Sequence, residues 1–462
     1  MRQELGHALY QHDAACRVIA RLIKERDDAR AALSEACPGT IAYVPPVRQS
    51  GATAPPAPTF VQVPSTSNMD GASLSDDVLV EMDTTAKALQ KGRKKRLFQD
   101  GCATPQQLSK YTLRTSQLLQ PAGVVRMDVH ASSPFIATGG TDGALVLSEY
   151  SSGSVTVLSR IRAHEQAVTS VKLHPSRCAA RARAPSLHLL SPSYVSPNSC
   201  SSIARPPGLA AATHLTVNSG TYPRPRVLLR ALRSPLVIST ATDGTARVFN
   251  RSSCALAVEL RAHTAAITAC SLHATGAYVA TASADHSWAF HELERGMCLL
   301  RHQDTSAPAY TCAGFHPDGL IFATGLGNIV RVWDMKSRAI LTTFEGHSQP
   351  LTCLAFSENG YYLATGAADA TVKLWDLRKL QSFHTIEPDS ASMAVSDVAF
   401  DHSGQVLAVA RGSVSLFETK AWATLAVHEE HPAPASAVGF GQCAAFFASA
   451  SEDGVLRLYG SH

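Results

Sequence analysis

The chain has 462 residues, a formal net charge of +4 and 45% hydrophobic residues. That length accommodates two or three domains with a buried core. No apolar run approaches the roughly 20 residues that span a bilayer, and the opening MRQELGHALYQHD is polar and charged, unlike the apolar core of a secretory signal. The eleven cysteines are scattered, with no CxxC pair and no Cys/His quartet at zinc spacing, so reduced, packed thiols are expected and neither a metal nor a cofactor is.

Residues 1–36 read as one helix: Gly6 is its only glycine, and Pro38-Gly39 ends it. Leu5, Leu9, Cys16, Ile19 and Ile23 fall on the a and d places of one heptad frame, which also puts His12, Arg26 and Arg30 on the seam. A helix apolar on one side requires a partner. Self-association through a short coiled coil is expected, in preference to packing on the chain's own C-terminal part. Residues 37–108 are expected to form a flexible linker, because VPPVRQSGATAPPAPTFVQVPSTS has too few apolar residues to build a core. Within it a short helix is expected from Ser75 to Leu89, with Leu79, Met82 and Leu89 on one side. Lys91, Arg93, Lys94, Lys95 and Arg96 follow. Such a cluster is a candidate nuclear import signal or nucleic-acid contact, and equally a solvated charge run.

From residue 109 onward the chain is periodic. The stretch GHSQPLTCLAFSENGYYLATGAADATVKLWDLRKL, beginning at Gly346, opens on Gly-His, passes Trp375-Asp376 and holds three short apolar runs between turn residues. A GH…WD unit of about 40 residues marks one β-propeller blade. Asp243, Asp285, Asp369 and Asp453 lie 42, 84 and 84 residues apart, and the skipped positions hold Gly327 and Arg411. Six residues beyond each come Phe249, His291, Trp333, Trp375, Phe417 and Tyr459. His263, His347 and His431 repeat at 84 and 84, and Asp142 marks an earlier unit. The expected fold is therefore all-β: a seven-bladed WD-repeat β-propeller over 109–462, preceded by the coiled-coil helix and the linker.

Asp142 to Asp243 spans 101 residues, and the excess is the stretch 177–234, with eight Arg and no Lys, Asp or Glu. It is read as a disordered insertion within the second blade. A translated non-coding stretch and a nucleic-acid-binding loop are the rivals. No direct nucleic-acid site is otherwise evident. The chain ends just after the third strand of the last blade, so the segment Tyr111–Leu119 is expected to donate the missing outer strand.

Within a blade, His347 is expected to bond Thr365 and Asp369 beneath Trp375, and His263, Asp285, His431 and Asp453 to play the same parts in their own blades. Unpaired buried groups of this kind cost about 1–3 kcal/mol, so these residues are read as structural rather than as a catalytic dyad. Blades lacking the Asp, those of Gly327 and Arg411, are expected to be held more loosely. No GxSxG elbow, GxxxxGK[ST] phosphate loop, HExxH motif or carboxylate pair in a recognisable context occurs, so no catalytic residue is assigned.

The opening RQELGHALYQHDAACRVIARLIKERDDA resembles the coiled-coil segment of the pre-mRNA-processing factor 19 family, and SLHATGAYVATASADHSWAF, FHPDGLIFATG, KGRKKR and LSKY are similar to its later parts. That resemblance implies a nuclear splicing scaffold with ubiquitin-protein ligase activity, linked to DNA repair. It also implies a homotetramer through the coiled coil, splicing-complex partners such as a CDC5-like protein, and ubiquitination substrates held by the propeller; no membrane partner is expected, given the lack of a bilayer-length apolar run. The family's U-box precedes the coiled coil, and this sequence starts inside the coiled coil. Truncation is the favoured reading, no ligase residue is carried over, and the chain alone is expected to be inactive. A generic WD-repeat adaptor outside splicing is the alternative.

Overall fold

The computed structural model describes residues 74–95, 102–151, 154–175, 236–305, 307–387 and 393–461, and the short strand Asn68–Met69. Leu5, Leu9, Cys16, Ile19, Ile23 and the 177–234 stretch lie outside the described residues. Seven antiparallel sheets, six of four strands and one extended to five by a short edge strand, repeat along the chain, and their innermost strands neighbour one another in a closed cycle. Blade 1 runs from Val124 to Arg162, blade 2 from Val168 to Leu260, blade 3 from Ile267 to Gln303 and blade 4 from Tyr310 to Glu345. Blades 5 and 6 run from Leu351 to Ile386 and from Asp397 to His428. The fold is the seven-bladed propeller that the 42-residue register predicts.

The second strand of each blade is sandwiched between neighbouring blades, so it reads as a continuous run of apolar and small residues. Leu236–Ala241, Tyr278–Ser283, Val406–Ala410 and Phe446–Ser451 are buried at every position. Blade 2 is assembled across the long stretch: Val168–Leu173 pairs with Leu236–Ala241, Val168 opposite Ala241. Blade 7 takes three strands from Ala435 to Gly460 and its outer strand from Thr112–Leu118, paired from Thr112 opposite Gly460 to Leu118 opposite Val455. The donor segment is the one expected, and it completes the fourth strand of blade 7 and so closes the ring. At this seam Gly454 has φ +80°, and a Cβ would fall 1.8 Å from the Gln120 carbonyl oxygen, so only glycine fits.

Helix α1 spans Asp76–Lys95. It opens on Asp76 and Asp77, which suit a helix N-terminus, and closes on Lys94 and Lys95, which suit the other end. Val78, Leu79 and Met82 share one face and pack, with Leu74, into a cluster containing Tyr278, Phe290, Phe322 and Trp333 of blades 3 and 4. Here the structure departs from the flexible linker expected over 37–108: the helix continues past Leu89 and is docked on the propeller. Ahead of it, Asn68–Met69 adds a short strand to the outer edge of blade 3. Helix α2, Pro105–Leu108, is capped by Thr104 and buries Leu108 and Tyr111 among blades 6 and 7. Docking of this kind needs a matching surface hundreds of residues away, which local periodicity does not reveal.

Candidate interaction surfaces

Four blades contain a buried histidine network. In blade 5, His347 Nδ1 lies 3.1 Å from Asp369 Oδ2 and Nε2 lies 2.9 Å from Thr365 Oγ1. A carboxylate only accepts, so Nδ1 carries the proton, Nε2 accepts from the Thr365 hydroxyl, and Trp375 Nε1 donates to that hydroxyl at 2.9 Å. Burial raises the Asp369 carboxyl, but donors from Thr371, His347 and Ser348 outweigh it and hold it at about 2. Burial pushes His347 below its ordinary value, against the opposing pull of Asp369. In blade 3, His263 bonds Asp285 and Thr281 in the same way, and Thr281 also meets His291, which stands where blade 5 has Trp375.

Blade 7 corrects the expectation for His431 and Asp453. Their direct pair is replaced by Arg457, which donates to His431 Nδ1 and lies 3.4 Å from Asp453 Oδ2. His431 Nε2 then donates to Ser449 at 2.6 Å. The fourth network, His164 with Asp243 at 3.0 Å and Ser239 at 2.9 Å, is the one the histidine spacing missed. The 177–234 stretch breaks the count, yet Arg162-Ala163-His164 matches Arg261-Ala262-His263 and marks it. These groups are internal to the blades, and among the described residues no cluster suited to a metal ion is found.

Two surfaces remain for recognition. At one mouth of the central channel lies a cavity of about 460 Å³ lined by Gly123, Arg126, Thr352, Ser396, Ser436 and Glu452. Arg126 crosses it, donating to the carbonyl oxygens of Ser396 at 2.7 Å and Ser436 at 3.2 Å. Deeper in, Lys172 pairs with Asp128 at 3.0 Å, and burial raises Asp397 against the pull of Arg126 and Lys172. The guanidinium thus ties blade 1 to blades 6 and 7.

The opposite face carries α1. Tyr278 Oη donates to Glu81 Oε2 at 2.9 Å, Lys336 Nζ meets Asp83 at 2.5 Å, and Gln90 Nε2 donates to Asp318 Oδ2 at 3.1 Å. Arg93 pairs with Asp318 as well, both side chains being largely buried. Of the basic cluster, Lys91, Arg93, Lys94 and Lys95 therefore belong to a docked helix, and Arg93 is bound to the propeller rather than presented to solvent. Arg96 lies outside the described residues.

Residues 1–36 match the family described as Prp19/Pso4-like, and 254–290, 296–334 and 338–376 match the WD domain, G-beta repeat. The chain is 33% identical to pre-mRNA-processing factor 19 of Oryza sativa subsp. japonica, across 99% of this chain and 79% of the relative. The Homo sapiens protein of that name is 35% identical, with 99% and 80% covered. The Caenorhabditis elegans one is 30% identical, with 99% and 79% covered. The chain belongs to the pre-mRNA-processing factor 19 family. Its WD repeats are offset from the blades by one strand. The match at 296–334 takes in the outer strand of blade 3 and the first three strands of blade 4. The same offset obliges Thr112–Leu118 to complete blade 7.

Proposed function

We propose that the chain is a nuclear scaffold subunit of a spliceosome-associated complex, whose propeller holds protein partners or ubiquitination substrates. The supporting observation is the likeness to pre-mRNA-processing factor 19 proteins over 99% of the chain together with the Prp19/Pso4-like match at residues 1–36. A generic WD-repeat adaptor shares the repeats but not that segment. The site geometry favours binding over catalysis, because the His–Asp pairs are buried in blade interiors and are satisfied there.

In this reading residues 1–36 supply homo-oligomerisation through Leu5, Leu9, Cys16, Ile19 and Ile23, and a CDC5-like partner binds there. Affinity capture of the tagged full chain from nuclear extract tests the proposal: spliceosomal proteins are expected, and their complete absence would sink it. Ligase chemistry is tested separately. Incubation with ubiquitin, activating enzyme, conjugating enzyme and ATP is expected to yield no chains, since the family resemblance carries no ligase residue over to this sequence. Robust synthesis would refute that.

A further inference from the structure

Two inter-blade grooves on the α1 face carry the same pair of polar groups; one holds α1, and the other, open among the described residues, holds no helix. In the filled groove, between blades 3 and 4, Tyr278 holds Glu81 and Lys336 holds Asp83, while the apolar face of α1 packs beside them. Exactly two sequence periods further on, Tyr362 and Lys420 take the same places at the junction of blades 5 and 6. Tyr362 opens the second strand of blade 5 opposite Asp376, as Tyr278 opens that of blade 3 opposite Glu292. Lys420 sits two residues before Trp422 at φ +54°, as Lys336 sits two before Arg338 at φ +58°. At the junctions of blades 1–2, 2–3 and 4–5 the corresponding positions hold Phe135 and Ser252, Leu236 and Glu294, and Ile321 and Arg378.

The open groove is also the more apolar. Where the filled one has Ala277, Leu299 and Arg338, it has Tyr361, Phe383 and Trp422. Phe383 lies 5.1 Å from Tyr362 and 5.7 Å from Trp422, ring to ring. Tyr361 and Leu380 are each 48% exposed and Phe383 is 41% exposed, an unusual amount of apolar surface for a rim. The Arg378 guanidinium covers the Tyr361 ring at 4.4 Å, and Lys379 and Lys420 are exposed beside it with no ion pair among the described residues. An apolar floor with a cationic edge complements a helix with an apolar face and an acidic edge.

We propose that the blade 5–6 groove docks an amphipathic helix of a partner protein, with carboxylates two residues apart along its edge, in the manner in which the blade 3–4 groove holds α1. This rests on the reading of the propeller as a partner-binding module, and it specifies the partner's chemistry and its place on the ring.

The probe is a fluorescent synthetic peptide with the sequence of residues 75–92, titrated into the full chain and followed by anisotropy. Saturable binding is expected. Lys420→Glu and Phe383→Ser should each weaken it at least tenfold, Lys336→Glu should leave it within twofold, and a peptide with Glu81 and Asp83 both changed to Lys should regain binding to the Lys420→Glu chain. Unchanged thermal melting of Lys420→Glu serves as the folding control. Absence of saturable binding overturns the proposal, as does loss of binding in Lys336→Glu alone, because the peptide would then be displacing α1. Sedimentation of the unlabelled chain gives a further outcome: a smaller oligomer for Lys420→Glu would place a second copy in the groove and overturn the partner assignment. Spliceosomal capture retained without peptide binding removes this inference and leaves the function standing. Peptide binding with an empty capture supports the groove and removes the splicing assignment.

Discussion

Blades 5 and 7 place the same kinds of residue at the same positions and wire them differently. His347 and His431, Thr365 and Ser449, Asp369 and Asp453, and Trp375 and Tyr459 correspond in register. In blade 5 the donors run in one direction, from indole to hydroxyl to imidazole to carboxylate. In blade 7 an arginine enters between imidazole and carboxylate and turns the imidazole's proton toward Ser449. The cause is one position on the third strand, Lys373 in blade 5 and Arg457 in blade 7. Lys373 reaches outward to Thr385 at 3.3 Å, whereas the forked guanidinium of Arg457 spans two partners. The same position holds Arg247, bound to Glu259, and Arg331, bound to Asp304 at 2.8 Å. A cation at this place takes whichever acceptor its blade offers, so a shared motif does not guarantee a shared network.

The largest expected effect is at the aromatic ends. Trp375 is buried, stacks on Phe344 at 4.8 Å and donates to Thr365. Trp375→Ala removes a filled core position and should cost about 3–5 kcal/mol in urea unfolding. Tyr459→Phe keeps the ring that stacks on Phe447 at 4.4 Å and loses the hydroxyl's bonds to Glu430 and Ser449, so a smaller cost, about 0.5–1.5 kcal/mol for each bond, is expected. Similar costs for the two would mean that the indole is not the anchor of blade 5.

The carboxylates come next. Asp369→Ala strands His347 Nδ1–H and the Thr371 and Ser348 donors, and should cost about 1–3 kcal/mol. Asp453 touches the imidazole of its blade only through Arg457, so Asp453→Ala should cost less than Asp369→Ala. Equal losses would erase the distinction between the two wirings.

Acid sharpens it further. Burial, then Arg457, lowers His431 to about 4, and burial lowers His347 too, with Asp369 opposing. Both folded values lie below the ordinary 6.5, so the unfolded chain binds protons first. The contribution to stability is whole above pH 6.5 and is lost as pH falls toward the folded value, at about 1.4 kcal/mol per pH unit per group. Gln120 already stands where blade 1 would have its histidine, which makes glutamine the apt replacement. The slope of stability between pH 6.5 and 4.5 should fall more for His431→Gln than for His347→Gln, because Asp369 accommodates an imidazolium and Arg457 repels one. A slope unchanged by His431→Gln would break this account.

The repeat was legible because a propeller repeats its physics. Turn aspartates, where present, and buried second strands keep the 42-residue register, and the outer strand of blade 7 follows from where the last repeat stops. Gly327, where blade 4 lacks the turn aspartate, forms with Asn328 a two-residue hairpin between Leu326 and Ile329. His164 escaped the spacing count because the stretch before Leu236 stretches the interval, although its flanking residues matched. The role of Arg457 was not legible, since the sequence does not say which way a long side chain turns. The docking of α1 was half legible: Leu79 and Met82 announce an apolar face, but Tyr278, Asp318 and Lys336 are ordinary surface residues until the fold brings them beneath it.

The smallest effect concerns the blades without the turn aspartate. Blade 4 has Gly327 at that place and blade 6 has Arg411, so neither can reproduce the His–Asp pair of blade 5. Blade 4 compensates in part: Arg331 pairs with Asp304 with both side chains largely buried, and Trp333 Nε1 still donates to Thr324 at 2.9 Å. Blade 6 has Phe417 in the place of the tryptophan, which can donate no such bond. Local opening draws on contacts of this kind. Amide hydrogen exchange of the second strands should therefore rank Tyr362–Ala367 slowest, Ile321–Leu326 next and Val406–Ala410 fastest. Equal protection in Val406–Ala410 and Tyr362–Ala367 would show that inter-blade burial alone holds the strands, and that the networks add nothing measurable to it.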